Sequence, residues 1–148
     1  MEARKIYITE MTFDDLNKIK NNLLEDFDDF WNVNVLKSEL ENLNSKYYVA
    51  KERDNIVGFA GMLVLIDSAE ITNIVVKKIE RKKGIGKLLL EKLILEASNL
   101  KKESISLEVN ENNTIAISLY RKYNFKQVGL RKKYYNGENN AIIMTKEC

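Results

Sequence analysis

The sequence predicts an α/β (α+β) fold in which a mixed, mostly antiparallel central sheet carries helices on both faces. Alternating segments joined by short turns in the middle of the chain are typical of antiparallel strands. A strand–loop–helix–strand order between residues 70 and 109 is typical of a βαβ crossover with two parallel strands. The 148 residues include six glycines and no proline, so we expect a single domain over residues 1–148 without a flexible linker.

The first half of the chain predicts four strands and two helices. Residues 5–10 alternate apolar and polar side chains as a strand does. Thr12 and Asp15 fit a capping box, and the apolar spacing after them predicts a helix that continues to Leu24. A shorter helix is expected at residues 35–43. Three strand-like runs with turn residues between them follow, at residues 47–52, 56–66 and 70–76.

The second half opens on a basic loop at residues 77–83. Apolar side chains at helical spacing then predict an amphipathic helix from Ile85 to about Leu100, with Leu88 and Leu95 on its apolar face. The remaining elements are a strand, a helix and a final pair of strands, at residues 104–109, 114–123, 126–135 and 141–146.

The composition excludes several kinds of chemistry. There is no histidine, and the only cysteine, Cys148, is the last residue, so Ser–His–Asp and Cys–His nucleophiles and a disulfide within the chain are excluded. We expect no bound metal. The 24 basic and 22 acidic residues give a net charge of +2, which does not favour direct nucleic-acid binding. Without a signal segment or a membrane-spanning run, we expect a cytoplasmic protein with no membrane contact, as a monomer or weak dimer.

The turn at residues 81–86, Arg-Lys-Lys-Gly-Ile-Gly, lies between a predicted strand and a predicted helix. Glycines allow positive φ and a close ligand, and the N–H groups that begin a helix form an anion-binding site. Lys82, Lys83 and Lys87 add positive charge. A Walker loop and a dinucleotide fingerprint both fit poorly, because no Gly-Lys-Ser/Thr is present and Leu89 occupies the third glycine position. A plain tight turn with solvated lysines stays open.

With the order of elements around it, this Arg-x-x-Gly-x-Gly turn resembles the acyl-CoA-binding signature of the GNAT superfamily, and the resemblance covers essentially the whole chain. It implies the GNAT fold, with acetyl-CoA as co-substrate. It also implies that backbone groups of the turn hold the pyrophosphate and that the strand before it follows the pantetheine arm. The cofactor-binding residues that it implies are Ile74, Val75, Val76, Arg81, Lys82, Lys83, Gly84, Ile85, Gly86, Lys87 and Asn113.

A second set of residues is similar to the ribosomal-protein-alanine N-acetyltransferases within that superfamily. It comprises Leu107-Glu108-Val109, Asn113-Thr114-Ile115-Ala116-Ile117-Ser118-Leu119-Tyr120, Tyr134-Tyr135 and Ala141-Ile142-Ile143-Met144. The resemblance implies that Glu108 assists deprotonation of the acceptor amine, directly or through water. Tyr120 would then protonate the departing thiolate, since a tyrosine hydroxyl has an ordinary pKa near 10. Attack would be direct, without an acyl-enzyme, and a backbone N–H of residues 74–76 would stabilise the oxyanion.

Each of these residues also has a structural interpretation. Glu108 alternates with Ile105, Leu107 and Val109, so it could be an ordinary outward-facing strand carboxylate. Asn113 could cap the next helix, which is compatible with a cofactor contact. Tyr120 shares a helix face with Ala116 and Ile117 and could be a packed core residue. The similarity to the subfamily favours the catalytic interpretation of Glu108 and Tyr120.

The same resemblance implies that the acceptor is the N-terminal alanine of a ribosomal protein. It places the acceptor groove near the first two helices and the Tyr134-Tyr135 segment, where carboxylates would attract a basic N-terminus. The acceptor-binding residues expected are Trp31, Asp26, Asp28, Asp29, Tyr134 and Tyr135. A solvated helix end stays open for the acidic run. Two other functions also stay open: an acetyltransferase of polyamines or aminoglycosides, and a non-catalytic acyl-CoA sensor.

Asparagines mark departures from the subfamily pattern. Asn32 follows a Trp that lacks the usual preceding proline, and Asn110 stands where an arginine is common. Asn112 replaces a common serine, and Asn140 replaces an acidic residue. These departures bear on the acceptor rather than on the cofactor turn.

Overall fold

The computed structural model describes residues 5–27, 32–135 and 137–148. Over these residues the strands are β1 (Tyr7–Glu10), β2 (Ser45–Glu52), β3 (Asn55–Val64), β4 (Ser68–Val76), β5 (Ser104–Asn110), β6 (Lys126–Tyr135) and β7 (Asn139–Glu147). The helices are α1 (Phe13–Ile19), α2 (Val33–Glu41), α3 (Ile85–Asn99) and α4 (Thr114–Lys122).

The seven described strands form one mixed sheet in the order β1-β2-β3-β4-β5-β7-β6. Strand β4 pairs in parallel with β5, with Ala69 opposite Ile105. The β1–β2, β2–β3, β5–β7 and β6–β7 ladders are antiparallel. The predicted mixed, mostly antiparallel sheet and its parallel crossover pair are therefore confirmed.

The chain divides into two compact units, and the first comprises Met1–Val64 and Thr72–Leu93. The capping box predicted at its first helix is confirmed, because the Thr12 hydroxyl accepts from Asp15 N–H at 3.1 Å and the Asp15 carboxylate accepts from Thr12 N–H at 2.9 Å. Its main core joins buried side chains of α1, α2, the strands, the π-helical turn at Leu23–Phe27 and the segment before α1: Met11, Leu16, Ile19, Leu23, Phe27, Leu36, Tyr47, Val49, Ile56, Phe59 and Val75.

Helix and strand ends in this unit differ from the sequence prediction. Helix α1 ends at Ile19, and a separate π-helical turn at Leu23–Phe27 follows it, so apolar spacing alone made the helix appear too long. Strand β3 ends at Val64, because Leu65 N–H already donates to Ser68 O within the turn. Ile66, which extended the apolar run, is almost fully exposed.

The second unit comprises Leu65–Ile71 and Ile94–Cys148. Strand β5 alternates as predicted, with Ile105, Leu107 and Val109 buried and the residues between them partly exposed. Phe125 and Met144 are also buried. The prediction of a single domain over residues 1–148 stays a prediction.

The apolar face of α3 was only partly predicted. Its buried side chains are Ile85, Leu89, Leu90, Leu93 and Ala97. Leu88 and Leu95, which the sequence placed on the apolar face, are exposed. A leucine-rich helix has more apolar residues than the sheet can cover, so composition alone does not identify the buried face.

Candidate active site

The turn before α3 contains two residues with positive φ. Lys82 has φ +65° and Gly84 has φ +85°, in the left-handed region. Leu88 N–H donates to Gly84 O at 3.2 Å, so the helix begins directly after Gly84. The N–H groups of a helix's first turn have no intrahelical acceptor, and here the helix dipole adds to the exposed Lys82, Lys83 and Lys87. This arrangement can bind a phosphate group.

The two glycines of the turn leave space beside the backbone. A Cβ added at Gly84 would meet nothing within 4 Å, and one added at Gly86 would come no closer than 3.6 Å to Val76 Cγ2. Neither glycine is therefore required by packing against the protein. The positive φ at position 84 favours a glycine there, whereas Gly86 suits a ligand that approaches the backbone closely.

The Arg81 side chain binds two backbone carbonyl groups next to the turn. Its Nε–H donates to Val76 O at 3.1 Å and its Nη2 donates to Phe27 O at 2.7 Å. The guanidinium thus joins the end of β4 to the π-helical turn, a structural role that the motif did not predict. Lys83 Nζ lies 3.6 Å from Glu80 Oε2, a weak ion pair on the same loop.

Gly58, which the sequence analysis missed, sets how closely α3 lies on β3. An added Cβ there would lie 2.9 Å from Val75 O, 3.1 Å from Leu89 Cδ1 and 3.3 Å from Ile85 Cγ2. A glycine inside a strand is the signal that could have revealed this close approach.

The predicted pantetheine strand, residues 74–76, follows a buried polar pair. Asn73 Nδ2 donates to the Tyr47 hydroxyl at 2.9 Å, and that hydroxyl lies 3.3 Å from Thr72 Oγ1. Burial raises the pKa of Tyr47, and the nearby Glu39 carboxylate adds to this, so the hydroxyl is held in its protonated form. Along these residues Val75 is buried, whereas Ile74 and Val76 are partly exposed.

Glu108 lies on the partly exposed face of β5, as its alternation predicted. Its Oε1 accepts a hydrogen bond from Arg131 Nη2 at 2.6 Å. Arg131 is the second residue that the sequence analysis missed. It lies on β6, and no sequence pattern indicates that β7 brings these two positions within reach of each other.

Tyr120 lies on α4, half-buried. Its ring centroid is 5.8 Å from that of Phe125, with an interplanar angle of 61°. This edge-to-face contact agrees with the packed position that the sequence allowed. It restrains the ring, and the hydroxyl group lies on the far end of that ring. A structural and a chemical role for Tyr120 are therefore compatible.

The asparagines that depart from the subfamily pattern have structural partners, as does Asn113, which matches that pattern. Asn32 and Asn113 are helix N-caps, accepting from Val35 N–H at 2.9 Å and from Ala116 N–H at 3.2 Å. Asn110 Oδ1 accepts from Asn112 N–H at 2.9 Å. Two further bonds join the loop after β5 to the start of β7: Asn112 Nδ2 to Asn139 Oδ1 and Asn140 Nδ2 to Glu111 Oε2, both at 3.0 Å.

Of the predicted acceptor residues, Asp26 is half-buried in the π-helical turn. It lines a pocket of about 270 Å³ with neighbours that include Lys18, Asp54 and Lys77. Asp28, Asp29 and Trp31 lie outside the described residues. Tyr134 and Tyr135 end β6, and their side chains also lie outside the described part.

No group of three or more His, Cys, Asp or Glu side chains in the described ranges is placed to hold a metal ion. Within the same ranges, no helix is both long and apolar enough to span a membrane.

Comparisons with known proteins bear on this site. The model of the acetyltransferase (GNAT) family matches residues 13–125. The chain is 36% identical over 120 residues to the [ribosomal protein bS18]-alanine N-acetyltransferase of Haemophilus influenzae, which covers 77% of this chain and 80% of that protein.

Two solved structures are similar over nearly the full length. The ribosomal-protein-S18-alanine N-acetyltransferase from Escherichia coli has a TM-score of 0.87 at 26% identity, covering 97% of this chain and 94% of that one. A GNAT family acetyltransferase from Elizabethkingia anophelis with acetyl-CoA bound has a TM-score of 0.75 at 25% identity, covering 97% and 98%.

Proposed function

The chain belongs to the acetyltransferase (GNAT) family, and from this premise we propose that it transfers the acetyl group of acetyl-CoA to the N-terminal alanine of a ribosomal protein. The observation that carries the proposal is the 36% identity to a bS18-alanine N-acetyltransferase over 80% of that protein's length. The acceptor, the roles of the site residues and the direct mechanism all belong to this proposal.

The residues of the α3 turn fit acetyl-CoA. Backbone N–H groups from Gly84 to Lys87 would hold its pyrophosphate, and the missing side chain of Gly86 leaves room for it. Residues 74–76 would follow the pantetheine arm, and Asn113 would contact it while capping α4. When bound, acetyl-CoA supplies an activated acetyl thioester.

Glu108 and Tyr120 would supply the proton transfers. An N-terminal α-amino group has a pKa of about 8, so a modest base is sufficient to keep it neutral for attack. Glu108 would accept its proton, directly or through water, and Tyr120 would donate one to the departing thiolate. Attack by the amine would be direct, because the sequence has no histidine to activate a nucleophile and its only cysteine, Cys148, is exposed at the last position.

The acceptor peptide would bind near the acidic side chains of residues 26–29. Asp26, with Asp28, Asp29, Trp31 and the Tyr134-Tyr135 pair, would attract and align a basic N-terminus. A ribosomal acceptor implies that the protein acts in the cytoplasm. We further propose that residues 1–148 act as a single domain, as a monomer or weak dimer, without contacting nucleic acid or a membrane.

A CoA-release assay with three acceptors tests the proposal. They are a basic peptide that begins with alanine, the same peptide with its α-amine blocked and an internal lysine free, and spermidine. We expect turnover with the first, with mass spectrometry locating the acetyl group on the α-nitrogen. Turnover with spermidine alone would support a small-molecule amine acetyltransferase. Binding of acetyl-CoA without turnover on any acceptor would support a sensor.

A further inference from the structure

The contact between Arg131 and Glu108 is one that the proposed reaction does not yet use. It is a short, charge-assisted hydrogen bond of 2.6 Å between Arg131 Nη2 and Glu108 Oε1. The carboxylate is the less exposed partner, with 20% of its side chain accessible against 55% for Arg131. The guanidinium is therefore the more solvent-exposed member of the pair, and the carboxylate is the more sheltered one.

The strand register explains how the two side chains meet. Glu108 lies opposite Ile143 of β7, and Ile143 lies opposite Gly129 of β6. A Cβ at Gly129 would be 3.3 Å from Ile143 Cδ1, so the Ile143 side chain leans over the glycine. Arg131, two residues further along β6, crosses β7 diagonally to reach Glu108.

We infer that Arg131 is a positioning residue, which holds one carboxylate oxygen of Glu108 so that the other is presented to the acceptor amine. The inference rests on the proposed role of Glu108 as proton acceptor. A glutamate on a strand face has several accessible rotamers, and a base is effective only when one geometry is fixed within hydrogen-bond reach of its proton. A guanidinium that anchors Oε1 selects that geometry before the acceptor binds.

An ordinary surface ion pair makes a different prediction. Exposed pairs contribute little to stability and nothing specific to turnover, so removing Arg131 would then change neither. The two interpretations therefore predict different values of kcat for a variant without Arg131, because only the positioning role predicts that kcat falls.

The first experiment measures kcat, KM for an alanine-starting peptide and KM for acetyl-CoA with Arg131→Gln, Arg131→Lys and the control Lys132→Gln, which removes an exposed charge from the adjacent position on β6. We expect Arg131→Gln to lower kcat about tenfold with KM for acetyl-CoA unchanged, because a displaced base loses rate rather than cofactor binding. Arg131→Lys should recover part of the loss, and Lys132→Gln should match wild type. Thermal unfolding of each variant checks that it is folded.

A double-mutant cycle completes the test. If Arg131 acts through Glu108, adding Arg131→Gln to Glu108→Gln lowers kcat no further. Unchanged kcat in Arg131→Gln, or losses that multiply in the double variant, would overturn the inference while a slow Glu108→Gln leaves the proposed function standing. Full turnover in Glu108→Gln would overturn the role of Glu108 and this inference with it, whereas no turnover of the peptide by the wild-type protein would overturn the proposed function.

Discussion

Two ion pairs join distant positions of this chain, and they differ in a way that separates stability from function. Lys51 Nζ lies 3.0 Å from Asp15 Oδ1 in the first unit, and the Asp15 side chain is only 3% exposed. Arg131 and Glu108 in the second unit meet at 2.6 Å, with the carboxylate 20% exposed. Asp15 is also bound to the Thr12 N–H, so its charge is used within the protein.

Burial and the number of partners indicate what each of these two carboxylates does. Asp15 is buried, and its two carboxylate oxygens contact the Thr12 N–H and the Lys51 ammonium group. Neither oxygen is therefore available to a substrate. Glu108 keeps a partly exposed carboxylate on a strand whose alternate residues form the core. We therefore expect loss of Asp15 to affect folding and loss of Glu108 to affect turnover.

The largest expected effect is on turnover, from Glu108→Gln. General acid–base groups contribute about 100-fold or more to rate, so we expect kcat to fall by about 100-fold, with the unfolding temperature nearly unchanged. Tyr120→Phe should reduce kcat in the same direction. Glu147→Gln, which neutralises an exposed strand carboxylate, is the control. Wild-type turnover in both Glu108→Gln and Tyr120→Phe would refute the assignment.

Asp15→Asn should show the opposite pattern. It removes the charge that Lys51 and the Thr12 N–H stabilise, so the free energy of unfolding at pH 7 should fall by about 1–2 kcal/mol while kcat stays at the wild-type value. Urea unfolding measures the first and the CoA-release assay the second. Asp14→Asn, in the same helical turn but exposed, should change neither. A large loss of kcat in Asp15→Asn would contradict a purely structural role for Asp15.

The stabilising effect of Asp15 should depend on pH in a defined direction. Burial raises the pKa of Asp15, but the hydrogen bonds with Thr12 and the Lys51 contact lower it more, so the pKa lies below its ordinary value of 3.8. The folded state therefore gains stability above that pH and loses it as the pH falls through the folded-state pKa. In urea unfolding, the difference between wild type and Asp15→Asn should shrink as the pH drops below 3.8. A constant difference would contradict this.

Gly84→Ala tests the turn before α3, where backbone N–H groups rather than an ion pair would form the binding site. The positive φ of Gly84 disfavours a side chain, so stability should fall by about 1 kcal/mol, and KM for acetyl-CoA should rise as the turn distorts. Gly137, with φ +71° in the β6–β7 turn, is a matched control. Gly137→Ala should cost similar stability without changing KM for acetyl-CoA. An equal rise in KM in both variants would show that strain alone is responsible.

The smallest effect is expected from a third carboxylate, Asp26, which belongs to neither pair. Neutralising Asp26, Asp28 and Asp29 together should raise KM for a basic peptide by about threefold and flatten its salt dependence, because attraction between charges in water is weak and is screened by salt. Glu25→Gln, an exposed neighbour, is the control for Asp26→Asn. Unchanged KM and salt dependence in the triple variant would contradict a role in acceptor binding.

The elements that the sequence predicted well are those with local causes. The capping box at Thr12, the turn at Gly84 and the alternation around Glu108 depend on residues within a few positions of one another. Helix ends and the buried face of α3 were less well predicted, because which leucines are covered depends on strands far away in sequence. Gly58 and Arg131 were missed for the same reason.

By itself, the sequence determined the mixed sheet, its parallel crossover and the position of the glycine turn before α3, since periodicity and turn chemistry are properties of neighbouring residues. The roles proposed for Glu108 and Tyr120 come from the resemblance to the subfamily. Only the tertiary structure decided that β7 lies between β5 and β6, and hence that Arg131 reaches Glu108. It also decided that Arg81 binds Val76 O and Phe27 O. Contacts of this kind depend on strand order and register, which a single sequence does not encode locally.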